Sequence, residues 1–155
     1  MLYLILKYAH VVGAVVLLGT GTGIAFFMMM AHRTGDAAHV ALTAQSVVAA
    51  DTIFTATAVV VQPVTGLLLA REAGYPLSEP WIVASALLYL VAGAAWLPVV
   101  AIQIRMRDLA RLAAAEGAAL GEDYHALFRR WFMLGFPGFG AVAAILWLMI
   151  AKPSW

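Results

Sequence analysis

The chain has 155 residues, of which 65% are hydrophobic and 11% charged, and its mean hydropathy is +0.95. Soluble domains are about half apolar and about a quarter charged, so this composition excludes an ordinary soluble domain. The net charge of +1 gives no reason to expect a nucleic acid as partner. The sequence has no cysteine, which excludes disulfides, cysteine-ligated iron–sulfur clusters and covalently attached haem.

Charged residues leave four long uncharged stretches between them. A hydrocarbon core of about 30 Å requires roughly 20 residues of helix, and a helix satisfies its own backbone hydrogen bonds in lipid. The stretches cover residues 8–32, 52–70, 80–104 and 131–151. The sequence therefore predicts an all-α integral membrane protein, a four-transmembrane-helix bundle that forms a single membrane domain over residues 1–155 and is surrounded by lipid.

The predicted helices follow one another through short connections, at about 2–31, 37–70, 81–112 and 131–151. After the first helix, Gly35 suits a left-handed helix end and Asp36 suits an N-cap. Ser78 is the predicted cap of the third helix. The segment 122–130, which is rich in charges, is predicted to lie at the membrane interface as a lead-in to the fourth helix.

The basic residues predict the orientation in the membrane. An even number of spans places both termini on one side. The first and third connections hold six arginines and the opposite side holds three basic residues: Arg33, Arg105, Arg107, Arg111, Arg129 and Arg130 against Lys7, Arg71 and Lys152. Because cytoplasmic segments are enriched in Lys and Arg, we expect these two connections in the cytoplasm and both termini outside.

His10 is the first candidate for a functional residue. It lies roughly two to three turns inside an apolar helix, where an imidazole is costly without a partner and is a functional candidate by default. Gly13 follows one turn later on the same face and leaves space for a flat ligand. Imidazole is a common axial ligand of haem, and b-type haem needs no cysteine. The alternative is a structural His10 that hydrogen-bonds a neighbouring helix or reaches the interface.

Small and sulfur-containing residues in the first helix suggest packing and copper binding. Gly19 and Gly23 form a small-xxx-small pair, which predicts the close approach of another helix. Met28, Met29 and Met30 precede His32, and thioether and imidazole groups are ligands that copper(I) prefers. However, successive residues of a helix point about 100° apart, so three adjacent methionines do not converge on one ion.

Polar residues and prolines elsewhere leave several interpretations open. Asp51 borders the uncharged stretch 52–70, so its carboxylate is either interfacial or buried, and a buried one would handle protons or pair with an arginine. Pro63, Pro98 and Pro137 lie within three spans, where a proline frees a carbonyl group and kinks the helix. On the predicted cytoplasmic side, the sequence allows either solvated loop histidines or a metal-binding or pH-sensitive cluster: His32, His39 and His125.

Four segments carry a resemblance that covers essentially the whole chain. They are LYLILKYAHVVG at 2–13, VQPVTG at 61–66, GYP at 74–76, and the region from WLP at 96–98 to QIRMRD at 103–108. The chain resembles the bacterial integral membrane proteins known as the domain of unknown function 2269 family. This resemblance implies a multi-pass protein of the bacterial inner membrane.

The first helix is also similar to that of HemJ-type protoporphyrinogen oxidases and CopD-like proteins. The similar positions are Leu6, Lys7, His10 and Val11, with a further histidine near the helix end. This more distant resemblance implies four helices and a b-type haem held through the position of His10. HemJ-type enzymes carry a lysine early in the third helix, shortly after a tryptophan, whereas residues 81–85 contain a tryptophan and no lysine. That departure argues against the oxidase activity and leaves haem binding as the implication.

Two functional hypotheses result. In the first, the protein binds haem b and acts in electron transfer or in haem and porphyrin handling, with His10 on the iron and Gly13, Tyr89 and Trp147 around the pocket. A redox partner or a quinone would exchange electrons with it, and an enzyme of this kind would be an oxidoreductase. The second axial position would be open or filled by another copy in a homo-oligomer. In the second hypothesis, the protein is a non-enzymatic membrane module, a copper-handling protein or a partner subunit, with a structural His10.

Overall fold

A computed structural model describes residues 1–153 as helices joined by short connections. The elements are α1 (Leu2–Thr34), α2 (Ala37–Ala50), a π-helical turn (Asp51–Thr55), α3 (Ala56–Glu72), α4 (Pro80–Ala115) and α5 (Glu122–Ala151). The π-helical turn joins α2 and α3 into one rod, Ala37–Glu72, so the described chain forms four long helices. Each is long and apolar enough to cross a membrane. The predicted four-helix, all-α fold is confirmed.

The helices are longer than the sequence predicted, most of all α5. It begins at Glu122 instead of residue 131, so the segment 122–130 forms the first part of the helix itself. Tyr124 and Phe128 are buried on one face of this first part of α5, whereas Arg129 and Arg130 on the other side are exposed. The charges therefore mark a solvated face of a packed helix.

The turns follow the predicted chemistry at one connection and depart from it at another. Gly35 ends α1 with φ = 67°, and Asp36 Oδ1 accepts hydrogen bonds from the backbone N–H of Ala38 (2.9 Å) and His39 (3.4 Å). The predicted left-handed helix end at Gly35 and the predicted N-cap at Asp36 are both confirmed. Ser78 is not the cap of α4: Glu79 occupies that position without a side-chain hydrogen bond, and Pro80 takes the first helical position, where a missing N–H costs nothing.

The main core lies at the end of the bundle where residues 35–36 and 116–121 connect the helices, which we call the loop end. Here α2 packs between α1 and α4, and α5 packs along α4. Small side chains let the helices approach closely. The core contains Ile24, Met28, Ala31, Ala37, Val40, Ala41, Ala44, Val47, Met106, Ala110, Ala113, Leu120, Tyr124, Phe128 and Trp131. The first turns of α2 and the last turns of α4 are therefore packed together rather than surrounded by water.

The rod Ala37–Glu72 changes its packing partners at the π-helical turn. Before the turn, α2 packs against both α4 and α1; after it, α3 packs mainly against α1. At the opposite end, which holds the start of α1, the 73–79 connection and the end of α5, the structure consists of two helix pairs, α1 with α3 and α4 with α5. We call this the terminal end.

Candidate functional sites

His10 lies between α1 and α3 near the terminal end. Its ring is half-buried, and its Nδ1 is 2.9 Å from Thr65 Oγ1 on α3. The Thr65 hydroxyl is 2.7 Å from the carbonyl oxygen of Val61, to which it donates its single proton. With the hydroxyl proton on this carbonyl oxygen, Thr65 Oγ1 accepts from His10 Nδ1–H. In this tautomer the lone pair of His10 is on Nε2, which has no hydrogen-bond partner among residues 1–153.

Two glycines allow the close contact between α1 and α3. A Cβ atom at Gly66 would lie 3.1 Å from His10 Cε1, and one at Gly13 would lie 2.5 Å from Gln62 Nε2. The Gln62 amide crosses over Gly13 and donates to the carbonyl oxygen of His10 at 2.8 Å. The expectation that Gly13 leaves space for a flat ligand is wrong, because the Gln62 side chain occupies that space.

Tyr89 and Trp147 were the other residues expected around His10. The Tyr89 hydroxyl on α4 donates to the carbonyl oxygen of Val59. That carbonyl lacks its helical partner because residue 63, four positions on, is a proline without an N–H. Trp147 on α5 is 59% exposed. Among the described residues, neither aromatic side chain makes a hydrogen bond or ring contact with His10.

The actual partners of His10 are Gln62, Thr65 and Gly66, which were not predicted from the sequence. A signal was present, since Gln62 and Thr65 are polar, are separated by three positions and stand in an otherwise apolar stretch. Two polar residues at this spacing lie on one face of a helix. The structure shows that this face is the one that meets α1.

A second polar site surrounds Asp51 at the start of the π-helical turn. The residue is 4% exposed, which resolves the alternatives in favour of a buried carboxylate. Trp96 Nε1 on α4 lies 3.2 Å and 3.3 Å from the two carboxylate oxygens. With the Gln103 amide oriented so that its nitrogen faces Asp51, that nitrogen donates to Asp51 Oδ2 at 3.0 Å and the amide oxygen accepts from Trp131 Nε1 at 3.2 Å. The network thus joins the π-helical turn to α4 and α5.

The histidines at the loop end pack against aromatic rings. The His32 ring stacks on Phe128, with 3.6 Å between ring centroids and 7° between planes, and its Nδ1 is 3.4 Å from the Tyr124 hydroxyl. His125 meets the edge of the His32 ring, whereas His39 is exposed. No group of three His, Cys, Asp or Glu side chains suitable for a metal ion occurs within residues 1–153.

The glycine pair of α1 lacks the close helix contact that the sequence predicted, and the methionines of this helix differ in burial. A Cβ atom at Gly19 or Gly23 would meet nothing within 4 Å, so the close approach predicted there is absent between the described helices and occurs at Gly13 and Gly66 instead. Gly23 lines a groove of about 470 Å³ between α1 and α2. Met28 is buried and Met30 is exposed, so their thioethers point in different directions.

The fold and the two buried polar sites define the class of this protein as a four-helix integral membrane protein. The family described as predicted integral membrane protein DUF2269 matches residues 4–153, and the chain belongs to this family. Comparisons with curated proteins and with solved structures found no match.

Proposed function

We propose that this protein binds haem b through His10 Nε2 and acts in electron transfer or in haem or porphyrin handling in the bacterial inner membrane. The observation that carries the proposal is the hydrogen bond between His10 Nδ1 and Thr65 Oγ1, 2.9 Å long. Histidines that ligate metals usually donate their other N–H to a nearby oxygen, which fixes the tautomer and the ring orientation. A free Nε2 lone pair in an apolar helix bundle is the donor that a noncovalent haem requires.

The residues around His10 fit one axial imidazole, and each has a separate task. Thr65 orients the ring and holds the proton at Nδ1, while Gly66 lets the ring lie against α3. Gln62 fills the space over Gly13, so Gly13 positions α3 and is not among the proposed haem contacts. When bound, the haem would supply one-electron redox chemistry, and the protein would supply its ligand, orientation and apolar surroundings.

The described chain offers no second histidine near His10. His32 is separated from His10 by roughly 33 Å along α1 at 1.5 Å per residue, and His125 contacts His32 at that same end. The sixth position of the iron would therefore be open to a small ligand or filled from a second copy in a homo-oligomer. A quinone or a redox protein would then exchange electrons with the haem.

A different observation supports the second candidate, a non-enzymatic membrane module. His10, Gln62 and the two glycines interlock α1 with α3, which is sufficient to explain an imidazole within a span. In this case the Nδ1 hydrogen bond serves helix packing, and the protein acts through partner subunits or as a copper-handling protein.

Absorption spectroscopy distinguishes the two candidates. We expect purified protein, expressed with ample haem, to show a Soret band and reduced α and β bands after dithionite. We expect His10→Ala to lose these bands and His39→Ala, which replaces an exposed histidine at the loop end, to keep them. Thermal melts of both variants show whether lost colour reflects lost ligation or lost folding. A colourless wild-type protein, or an equally coloured and folded His10→Ala variant, would contradict the proposal.

A further inference from the structure

Asp51 is a carboxyl group enclosed by the helices without a cationic partner. It stands roughly 20 Å along the rod from Ala37, at 1.5 Å per residue, and the uncharged stretch 52–70 begins directly after it. The only ion pair among residues 1–153 joins Arg107 and Asp108 at the loop end. An ionisable side chain in such a position is costly and is a candidate for function.

N–H donors from two side chains of α4 reach the carboxyl group of Asp51. Trp96 Nε1 donates to the carboxylate, and the Gln103 amide nitrogen donates to Oδ2. Trp131 Nε1 donates to the Gln103 amide oxygen, which fixes the direction of the amide. Both carboxylate oxygens therefore face N–H groups.

The same donors make Asp51 unsuitable as a metal site. Hard cations such as Ca²⁺ and Mg²⁺ take about six or more oxygen ligands, whereas the groups that reach Asp51 present hydrogens. No second acidic or histidine ligand accompanies it within the described chain. A proton, which requires only one carboxylate oxygen, is the cation that this arrangement can accept.

Thr55 carries a second buried polar group on the π-helical turn. It is 8% exposed and lies on the same buried face as Asp51, one turn further along the π-helical turn. Its Oγ1 is the one buried side-chain polar atom without a hydrogen-bond partner among residues 1–153. π-Helical turns within α-helices often mark functional sites, and here one turn presents both a carboxyl group and an unused hydroxyl.

We propose that Asp51 is a proton-exchanging site within the membrane. In the ionised state, Trp96 and Gln103 hold the carboxylate. On uptake, a proton from water forms an O–H bond on one Asp51 oxygen, and Thr55 Oγ1 accepts the new hydrogen bond; on release, the proton returns to water. This inference does not depend on haem binding at His10.

No other titratable group facing Asp51 competes for this proton. Within residues 1–153, seven acidic or basic side chains on the surrounding helices make no hydrogen bond or ion pair with its carboxyl group. They are Tyr8 and His10 on α1, His39 on α2, Arg71 on α3, Tyr89 and Arg105 on α4, and Arg129 on α5. A titration observed at Asp51 would thus report its own protonation.

Infrared spectroscopy of labelled protein tests the proposal without replacing Asp51. The chain has four aspartates, and the other three are exposed: Asp36, Asp108 and Asp123. Changing these three to Asn and labelling aspartate with ¹³C at the side-chain carboxyl leaves Asp51 as the only labelled side chain. We expect the carbonyl stretch of a protonated acid to appear as the pH is lowered, and to shift in D₂O. A further Asp51→Asn change should abolish it.

Thr55 variants test the second part of the proposal. Thr55→Val removes the acceptor for the protonated form, so we expect the midpoint of the titration to move to lower pH, whereas Thr55→Ser should leave it unchanged. If Asp51 keeps one ionisation state at every pH at which circular dichroism shows a folded protein, proton exchange is refuted. A midpoint equal in the Val and Ser variants would refute the role of Thr55.

Discussion

At the scale of single residues, two glycines determine how closely α1 and α3 approach. The amide of Gln62 can pass over Gly13 and reach the backbone of His10 only because Gly13 has no side chain. The His10 ring can lie on α3 only because Gly66 has none. In membranes, where lipid is as apolar as the helix surface, such close contacts and the hydrogen bonds between helices supply much of the association energy.

Gly13→Ala should lower the free energy of unfolding by about 1–3 kcal/mol, the usual cost of overpacking. The new methyl group would lie 2.5 Å from Gln62 Nε2, so the amide must move and lose its bond to His10. Gly19→Ala on the same helix is the matched control, because its methyl group meets nothing within 4 Å. Reversible unfolding in mixed detergent micelles gives both values. Equal effects of the two variants would contradict the packing described for Gly13.

The Asp51 network shows at the same scale why the identity of each donor matters. A buried polar group lowers the stability of the fold only a little when its hydrogen-bond partners are present, and much more when one partner is lost. Trp96, Gln103 and Trp131 come from two helices and together satisfy one carboxyl group. Tryptophans in membrane proteins commonly mark the interface, but these two indoles serve a buried site.

At the scale of helices, Pro63 and Tyr89 form a compensating pair. The proline removes the N–H that would bond the carbonyl of Val59, and the Tyr89 hydroxyl from α4 replaces it. Among residues 1–153, this is the one hydrogen bond that joins α3 to α4. It therefore links the two helix pairs of the terminal end.

Tyr89→Phe should cost about 0.6–1.7 kcal/mol in unfolding free energy, the range measured for hydrogen bonds between membrane helices. In a Pro63→Ala background, the introduced alanine supplies its own N–H to the carbonyl of Val59, so Tyr89→Phe should cost less. A double-mutant cycle measures this coupling. Tyr8→Phe, at an exposed position on α1, should have little effect. Additive effects of the Tyr89 and Pro63 changes would contradict the compensation.

The π-helical turn also acts at the helix scale. Its single wide turn lies where the rod leaves α4 and continues along α1. The backbone N–H of Ala56 bonds the carbonyl oxygen of Asp51, five positions earlier. This turn thus both redirects packing and places the buried carboxyl group against α4.

At the scale of the whole molecule, the distribution of basic residues predicts that the loop end faces the cytoplasm. Two exposed positions lie in opposite connections, Ser78 in the 73–79 connection and Ala118 in the 116–121 connection. Because the chain has no cysteine, each can be changed to a unique cysteine. We expect an impermeant maleimide to label Ser78→Cys in intact cells and Ala118→Cys only after permeabilisation. The reverse pattern would overturn the predicted orientation.

Hydropathy and charge spacing were sufficient to predict the whole-molecule architecture. A span must be long enough to cross the bilayer and must satisfy its own backbone hydrogen bonds in lipid. Whether a segment meets both requirements depends on residues that are neighbours in the chain. The turn at Gly35 and Asp36 was predictable for the same reason, because a left-handed glycine and a capping carboxylate act on adjacent residues. The extent of α5 was not predictable from the sequence. Charged residues dominate the segment 122–130, and the apolar face of this segment is recognisable only from its packing in the core.

Hydropathy and charge spacing are enough to define a four-span bundle and to single out His10 as a polar group within a span. The pairing of distant groups follows from the packed bundle instead: Thr65 and Gly66 with His10, Gln62 with Gly13, and Trp96 and Gln103 with Asp51. Helix formation depends on neighbours in the chain, whereas these contacts depend on the rotation and register of helices that are far apart in sequence. Small residues permit such contacts at many positions, and the packing of the complete bundle selects Gly13 and Gly66 over Gly19 and Gly23.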